Sequence, residues 1–465
     1  MKKLLLLIVC SLFLLKANAD SKIKVYFNHP VDTSVSTSVP ASYLNHCMHD
    51  TIIAYINRAK YSLDIAIYNY TQGAYDTIAY AVNAAYSRGV HVRWICDGSS
   101  SNSGLNFVNP AINKLHSPTT GSYTLMHNKF MVIDAESTDP ADAVVMSGSS
   151  NWTSQQFFTD YNNVIFIQDS ALAHAYRAEF EMMWGSTGLA PDTSMSKFGN
   201  HKTNLGRHSF TIAGKNVELY FSPSDSNNSH ILSAINSANT DLYFGMYSFT
   251  DSVNASEVMA KNTSGVYVAG ISDTSSATYV PDSMFRSPAG LGSHYICYTG
   301  TGLFHNKYLI VDQANRCSDP LVVTGSYNWS AVAETNNDEN TLIIHDDTTA
   351  NVYYQSFHSN FVAFGGSLTI PTGCPSGTKN VAGDPESFKL FPNPATGTFN
   401  VQLTTNSVGN ATVEIYNTLG KKIISQLWQI TSGTNSNEIS ILKPGLYFVI
   451  VSLDGNHFES RLIVE

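Results

Sequence analysis

Charged side chains are scarce in this chain. Aspartate, glutamate, lysine and arginine together make up 13% of its 465 residues, whereas hydrophobic residues make up 43%. This composition is typical of a folded protein with an ample interior, and disorder is not the default. The formal net charge of −10 gives no reason to expect broad affinity for nucleic acid, because such affinity depends on lysine and arginine neutralising phosphates. A locally basic cleft is still compatible with this balance.

Paired cysteines and long apolar runs are also missing. No CxxC pair occurs, which argues against a structural zinc site. The apolar run Leu4–Leu15 is too short to cross a membrane. It follows two lysines and precedes Ala17-Asn18-Ala19, a pattern typical of a cleaved secretory signal peptide at residues 1–19. The five cysteines beyond it leave at least one unpaired, and their spacing does not define a disulfide pairing.

One motif is present twice. The segment from His127 to Asp134 has the sequence HNKFMVID, and the segment from His305 to Asp312 has the sequence HNKYLIVD. The alternation of a β-strand places the histidine and lysine of each copy on one face. A second short strand and a Gly-Ser-x-Asn turn follow each copy. The candidate site residues in these motifs are His127, Lys129, Ser149 and Asn151 in the first copy, and His305, Lys307, Ser326 and Asn328 in the second.

The elements around the motif are repeated as well. The order strand, helix, strand, helix, strand, hairpin occurs once in residues 20–200 and again in residues 201–370. This repetition predicts two α/β sandwich units, each with a mixed β-sheet. Each unit carries one histidine and lysine set, so we expect the units to pack face to face about a pseudo-twofold axis and to form a single cleft. All the reacting groups then lie in one chain, and the catalytic unit is expected to be a monomer.

The C-terminal part has a different pattern. Residues 371–387 are rich in glycine, proline and serine and are interpreted as a linker. Residues 388–465 contain six short alternating segments separated by turns, of which the fourth is predicted at residues 439–442. This pattern predicts a small all-β sandwich.

The residue types in the repeated motif suit a phosphate. Lysine supplies positive charge, and asparagine and serine supply hydrogen-bond donors for a tetrahedral anion. No carboxylate cluster lies beside the motifs, so we expect no metal and no other cofactor. One imidazole can attack phosphorus while the other protonates the departing oxygen and later activates water. Asp134 and Asp312 lie at strand ends, where a structural role in bonding backbone amides is favoured.

On these motifs the chain resembles the phospholipase D superfamily, whose mark is His-x-Lys-x4-Asp followed by Gly-Ser-x-Asn, over about residues 23–365. The resemblance implies a metal-independent phosphodiesterase that forms a phosphohistidine. It also implies an acidic residue that reaches across the pseudo-twofold axis. Glu339 occupies that position in the second unit and would serve His127, while the first unit has Asn162 there and Asp160 two residues away. We therefore predict His127 as the nucleophile and His305 as the general acid and then base.

The sequence leaves the substrate open. Acidic balance, export and the fused two-unit layout favour phospholipid, with transient contact to a membrane surface. The tails that contain Trp152 and Trp329 are similar to those of a branch with bacterial endonucleases and mitochondrial cardiolipin-cleaving enzymes, so nucleic acid is the alternative substrate. A further alternative is an inactive binding protein that keeps the fold, and its support is Asn162 at a position where the family has an acid.

Residues 388–465 resemble the C-terminal sorting domain of the type IX secretion system. The resemblance rests on Leu390-Phe391-Pro392-Asn393-Pro394, residues 413–420 and residues 442–447. It implies passage through the periplasm to the type IX machinery, followed by secretion or attachment to the cell surface. The alternative is a carbohydrate-binding or protein-binding sandwich.

Overall fold

A computed structural model describes most of the chain. The described residues are 22–71, 77–120, 123, 125–369, 387–405, 408–417, 421–441, 443–453 and 456–465. The predicted signal peptide and the predicted linker up to residue 386 lie outside them. The chain divides into two compact units, with the boundary between residues 374 and 375.

The larger unit contains two mixed sheets, and the first has eight strands in the order β2-β1-β8-β7-β6-β3-β4-β5. Strands β3, β4 and β5 are parallel, and β6, β7, β8 and β1 continue the sheet with antiparallel pairs. Its strands are β1 (Ile23–Phe27), β2 (Ser42–Tyr43), β3 (Ser62–Ile67), β4 (His91–Cys96), β5 (Asn113–His116), β6 (Lys129–Ile133), β7 (Val144–Gly148) and β8 (Asn163–Gln168). Its helices are α1 (Met48–Ile56), α2 (Ile78–Ser87), α3 (Ser154–Phe158) and α4 (Ser170–Trp184).

The second sheet repeats this arrangement in the order β13-β12-β11-β14-β15-β16-β10-β9. Its strands are β9 (Ser209–Ile212), β10 (Lys215–Ser222), β11 (Asp241–Met246), β12 (Tyr267–Asp273), β13 (Tyr295–Tyr298), β14 (Lys307–Val311), β15 (Leu321–Gly325) and β16 (Glu339–His345). Its helices are α5 (Asn227–Ser237), α6 (Ser252–Thr263), α7 (Val280–Arg286), α8 (Ala331–Thr335) and α9 (Asp347–Ala363). The two sheets differ at one edge, where β2 is parallel to β1 whereas β9 is antiparallel to β10.

Both sheets contribute to one central core. Helices α4 and α9 supply aromatic side chains to it, and these rings contact strands of both halves. Tyr176 of α4 packs edge-on against Phe221 of β10, and Tyr353 of α9 packs edge-on against Phe27 of β1. Full burial of one such side chain contributes about 1.5–3 kcal/mol. The predicted fold of two repeated α/β units is confirmed, and the halves are joined by a shared hydrophobic interior.

The smaller unit is all-β, as predicted, with one three-stranded and one four-stranded sheet in the orders β17-β18-β21 and β20-β19-β22-β23. Apolar side chains on the inner faces, such as Val401 and Val449, are fully buried. The prediction missed β20 and started β21 too late. The strands are β17 (Ser387–Phe391), β18 (Thr398–Thr405), β19 (Gly409–Asn417), β20 (Lys422–Ile430), β21 (Gly433–Ser440), β22 (Gly445–Leu453) and β23 (Asn456–Val464).

The described cysteines differ in their bonding state. Cys47, Cys96 and Cys297 are free thiols, and Cys317 is disulfide-bonded. Burial raises the pKa of the Cys96 thiol to about 12, so this group is not a thiolate at neutral pH. No helix among the described residues is long and apolar enough to span a membrane.

Candidate active site

The histidines and lysines of the repeated motif lie at the centre of each sheet. His127 and His305 come two residues before the lysines that open β6 and β14. The four side chains belong to residues that are at most 8% exposed. A central strand is flanked on both sides by hydrogen-bonded neighbours, so its first residues are held in one geometry. These side chains are therefore buried and fixed by the sheet.

The glycines of the two Gly-Ser-x-Asn turns allow adjacent strands to lie very close. Gly148 has φ +140° and Gly325 has φ +137°. A Cβ on Gly148 would lie 2.4 Å from the carbonyl oxygen of Asn163, and one on Gly325 would lie 2.3 Å from that of Asn340. Only glycine accepts this conformation and this approach. The glycines thereby place the starts of β8 and β16 beside the turns.

Each imidazole is bonded by a residue of the opposite half. Nδ1 of His127 lies 2.8 Å from both carboxylate oxygens of Glu339, which opens β16. Nδ1 of His305 lies 3.0 Å from the amide oxygen of Asn162, which precedes β8. The predicted contact of Glu339 with His127 across the halves is confirmed. The two sets therefore form one site.

These contacts fix the tautomer of each histidine. A carboxylate only accepts hydrogen bonds, so Nδ1 of His127 carries the proton and Nε2 keeps its lone pair. Asn162 has its amide nitrogen turned toward the carbonyl oxygens of Gln156, at 3.0 Å, and Asp160, at 3.4 Å. Its oxygen is thus the atom that faces His305. Asp160 itself accepts the backbone N–H of Leu303 at 2.8 Å and does not bond the imidazole.

A layer of asparagines and serines lies beneath the imidazoles. Asn340 donates to Asn128 at 3.0 Å, and the equivalent Asn163 donates to Asn306 at 2.8 Å, so both bonds cross between the halves. Because the amides bond each other directly across the halves, they fix the relative position of the two histidine strands.

The serines of the turns belong to this layer. The Ser149 hydroxyl donates to Asn162 at 2.8 Å, and the Ser326 hydroxyl accepts from the backbone N–H of Asn340 at 3.0 Å. Both serines are fully buried. The phosphate-binding role that we predicted for Ser149 and Ser326 stays a prediction, because these contacts within the protein do not test it.

Asn151 and Asn328 are placed differently from the serines. The amide oxygen of each is buried and has no hydrogen-bond partner among the described residues. The oxygen and nitrogen of such an amide exchange places by a half turn, so each side chain can present N–H to an anion. The two asparagines therefore retain unused hydrogen-bonding capacity, as a phosphate site requires.

The two lysines concentrate positive charge in a buried place. Nζ of Lys129 donates to the His127 carbonyl at 2.7 Å, and Nζ of Lys307 donates to the His305 carbonyl at 2.8 Å. Burial lowers the pKa of Lys129 to about 7, although Glu339 opposes this change. Burial and then the charge of Lys129 hold the pKa of Lys307 well below its usual value. An anion that enters the site relieves this repulsion.

The buried environment lowers the pKa of both histidines, but to different degrees. Burial lowers the pKa of His127, and Glu339 counteracts that effect. Burial, Lys307 and Lys129 hold the pKa of His305 well below its usual value, and no carboxylate in direct contact compensates. Both imidazoles are therefore neutral at neutral pH while the site holds no anion.

The two aspartates of the motifs lie at the far ends of their strands. Asp134 and Asp312 have left-handed backbones, with φ +53° and +52°. One carboxylate oxygen of Asp134 accepts the backbone N–H groups of residues 60–62 at 2.7–3.0 Å. The equivalent oxygen of Asp312 accepts those of residues 239–241 at 2.7–3.2 Å. These bonds fit the expected structural role, since they hold the turns that lead into β3 and β11.

Two tyrosines beside the imidazoles were not predicted. The ring of Tyr68 lies 5.0 Å from that of His127, and the ring of Tyr247 lies 4.7 Å from that of His305. Both follow a buried strand at the same place in the repeat, which the sequence comparison of the halves could have revealed. Trp152 and Trp329 are instead fully buried in the cores behind the motifs. No group of three or more metal-ligating side chains suited to a metal ion occurs among the described residues.

Comparison with known families agrees with this geometry. A family model described as "Cardiolipin synthase, PLD-like domain" matches residues 52–184 and 231–361, which make up more than half of the chain. The chain belongs to this phospholipase D-like family. The two matched segments correspond to the two halves of the larger unit, each with one histidine and lysine pair.

Individual relatives match a smaller part of the chain than the family model does. A mitochondrial cardiolipin hydrolase of Drosophila melanogaster is 33% identical over 149 residues, which are 29% of this chain and 57% of the relative. A phospholipase D of Rickettsia typhi is 25% identical over 151 residues, which are 32% of this chain and 69% of the relative. The chain spans little more than half the length of the first curated relatives that it matches. The solved phosphatidylserine synthase of Haemophilus influenzae Rd KW20 superposes with a TM-score of 0.48 at 14% identity, covering 70% of this chain and 86% of that one.

The smaller unit has a match of its own. Residues 389–465 match a model described as "Secretion system C-terminal sorting domain". This finding confirms the resemblance predicted from the sequence. The phospholipase D-like chain is exported by the type IX route, and it is secreted or held at the cell surface.

Proposed function

We propose that this protein is an exported, metal-independent phosphodiesterase that hydrolyses phospholipid phosphodiester bonds through a phosphohistidine. Nε2 of His127 attacks phosphorus, and the bond from phosphorus to the departing oxygen breaks. His305 gives its proton to that oxygen and then takes one from water, which cleaves the phosphorus–nitrogen bond. The observation that carries the proposal is the contact of Glu339 with His127, because a carboxylate stabilises the cation formed when Nε2 bonds phosphorus.

Substrate binding lets His305 take up the proton that it later donates. The free site keeps this imidazole neutral. A phosphodiester brings a negative charge next to the two lysines, and that charge raises the pKa of His305 and of both ammonium groups. Lys129 and Lys307 then hold the phosphate together with Asn151 and Asn328.

Phospholipid is the substrate class that the observations favour. The relatives that match are named cardiolipin hydrolase and phospholipase D. The chain is exported and carries a net charge of −10, which gives no reason to expect broad affinity for nucleic acid. Trp152 and Trp329 are buried and offer no ring for stacking a base. The catalytic side chains all come from one chain, so the proposed catalytic unit is a monomer that contacts a membrane surface transiently.

The test measures two activities side by side in EDTA. The purified protein is incubated with cardiolipin or phosphatidylcholine vesicles and, separately, with plasmid DNA. We expect release of phosphatidic acid or of the head group, no nicking of the plasmid, and loss of turnover in His127→Ala. Plasmid nicking without lipid turnover would make the protein an endonuclease. Absence of turnover on both, and on bis(p-nitrophenyl) phosphate, would make it an inactive binding protein.

A further inference from the structure

Glu339 and Asn162 are the hydrogen-bond partners of the two imidazoles. The residue just before each of them makes an equivalent backbone hydrogen bond, but the two residues carry different side chains. The backbone N–H of Asp338 donates to the carbonyl of Leu125 at 2.9 Å, and the N–H of Tyr161 donates to the carbonyl of Leu303 at 2.8 Å. Leu125 and Leu303 each lie two residues before a site histidine. These two backbone hydrogen bonds, here called bridges, therefore set the distance between each histidine strand and the residue that bonds its imidazole. That residue is Glu339 in one half and Asn162 in the other.

The side chain of Asp338 is held by an ion cluster. The Asp338 carboxylate binds different partners from that of Glu339, which contacts His127. One of its oxygens accepts from Nζ of Lys202 at 2.9 Å and from the backbone N–H of Gly199 at 2.8 Å. Nζ of Lys202 also bonds Glu179 and the carbonyl of Ser222. The side chains of Lys202, Glu179 and Asp338, here called the Lys202 cluster, are at most 1% exposed.

Among the residues that the structure describes, the other half has no ion cluster at the equivalent place. The ring of Tyr161 stacks on His29 with centroids 3.5 Å apart. It also packs edge-on against the rings of Tyr298 and Phe364. Its neighbour Asn162 is uncharged. The carboxylate partner is thus anchored by an ion cluster, and the amide partner is anchored by aromatic packing.

The Lys202 cluster and the Glu339 carboxylate are connected by the cost of burying charge. Asp338 and Glu339 are adjacent and fully buried, and burial of two neighbouring carboxylates is costly unless cations and hydrogen bonds compensate. Lys202 supplies that compensation from the segment that joins the halves, between α4 and β9. Burial alone would lower the pKa of Lys202, but Asp338 and Glu179 outweigh it and hold that pKa above its usual value. The ammonium group therefore stays charged.

We propose that Lys202 is a positioning residue, which fixes Asp338 and, through the bridge to Leu125, holds Glu339 in contact with His127. The inference rests on the proposed function, because the contact matters only if His127 reacts. The proposal gives a role in catalysis to the segment between α4 and β9. This segment joins the two halves and lies outside the repeated motifs. Lys202 touches neither imidazole and acts through Asp338.

The first test reads the state of His127 without any substrate. Nitrogen-15 NMR of labelled histidine gives the tautomer and the pKa of His127, assigned from the signal that is lost in His127→Gln. In Lys202→Met we expect a mixture of tautomers and a fall of about one unit in this pKa, because the imidazole loses its carboxylate. A purely electrostatic role predicts a rise, since a positive charge is removed. A rise, or no change in the folded variant, would overturn the proposal.

The second test uses kinetics with a matched control. We expect Lys202→Met to lower kcat by about tenfold or more, with KM changed by less than about twofold. Arg93→Met removes another buried cation, which bonds Asp64 at 2.7 Å and lies away from the site. This control should lose thermal stability to a similar extent but keep its kcat and its His127 signal. Equal kinetic losses in both variants would contradict a positioning role.

A third variant covers the case in which Lys202→Met does not fold. Asp338→Asn keeps the size of the side chain and its bond to Gly199 but weakens the attraction to Lys202. It should shift the His127 tautomer in the same direction, and an unaltered His127 signal would overturn the proposal. If the unmodified protein hydrolyses no phosphodiester, the proposed function fails while the NMR measurement still decides whether Lys202 positions Glu339.

Discussion

The two halves of the larger unit share a topology and differ in what supports each histidine. The strand orders correspond except at one edge, and each half has one His-x-Lys pair. His127 bonds the carboxylate of Glu339, whereas His305 bonds the amide of Asn162. A carboxylate balances the positive charge of an imidazolium or a phosphohistidine, and an amide cannot. In the proposed mechanism, this one difference between equivalent positions separates the nucleophile, His127, from the acid and base, His305.

Removal of the carboxylate is expected to have the largest effect. Glu339→Gln keeps the shape of the site but makes the two halves equivalent in charge. We expect kcat to fall by about three to four orders of magnitude, the loss seen when a catalytic histidine loses its carboxylate. The measurement is steady-state turnover of bis(p-nitrophenyl) phosphate.

The matched control for this prediction is Glu334→Gln. Glu334 lies in the same half, where it bonds Tyr327 at 2.8 Å and the backbone N–H of Asn228 at 3.1 Å. This variant should keep kcat within about a factor of two to three. A loss of less than tenfold in Glu339→Gln would remove the distinction between the halves.

Addition of a carboxylate to the other half should change the pH dependence. In the free enzyme the pKa of His305 is held further below its ordinary value than that of His127. The reacting form needs neutral His127 and protonated His305, so the acid limb of kcat/KM follows His305 and the alkaline limb follows His127. In Asn162→Asp the new carboxylate raises the pKa of His305, and the acid limb should move to higher pH by about one unit or more. A shift of the alkaline limb with an unmoved acid limb would assign the carboxylate effect to the wrong histidine.

Much of this site could be predicted from sequence because it is repeated. The duplicated motif identified both histidine and lysine pairs, and the offset from the Gly-Ser turn identified Glu339. The direction of the serine hydroxyls could not be predicted, because the same turn can present Ser149 to a ligand or to Asn162. Lys202 was not found either, since 136 positions separate it from Asp338 and no local pattern links them.

The missed strand in the smaller unit has a local cause. The register of β19 and β20 shifts between Ile415 and Tyr416, and such an irregularity interrupts the alternation that marks a strand. Ile423 and Leu427 of β20 also point into solvent, with 44% and 77% of their surface exposed. A pattern based on apolar burial therefore does not identify this strand.

The smallest expected effect is on the stability of the fold, when the buried lysine of either half is replaced. The pKa of Lys129 is about 7 in the folded protein, against 10.5 as the ordinary value. The penalty for its buried charge is therefore complete below pH 7 and disappears as the pH rises toward 10.5. Lys129→Met and Lys307→Met should each stabilise the fold near pH 6, by about 1 kcal/mol or more.

The gain should be larger for Lys307→Met, because the charge of Lys129 further depresses the pKa of Lys307. Thermal unfolding at pH 6 and at pH 9 measures both gains, and the gain from Lys129→Met should shrink at the higher pH. Destabilisation by both substitutions at pH 6 would contradict the electrostatic account of the site.

The central claim is that the carboxylate makes His127 the nucleophile, and trapping of the intermediate tests it most directly. The unmodified protein is quenched with denaturant during turnover of a slow phosphodiester, digested, and searched for a phosphorylated peptide by mass spectrometry under conditions that preserve phosphohistidine. The account predicts the phosphate on the peptide that contains His127. A phosphate on the peptide that contains His305 would contradict it.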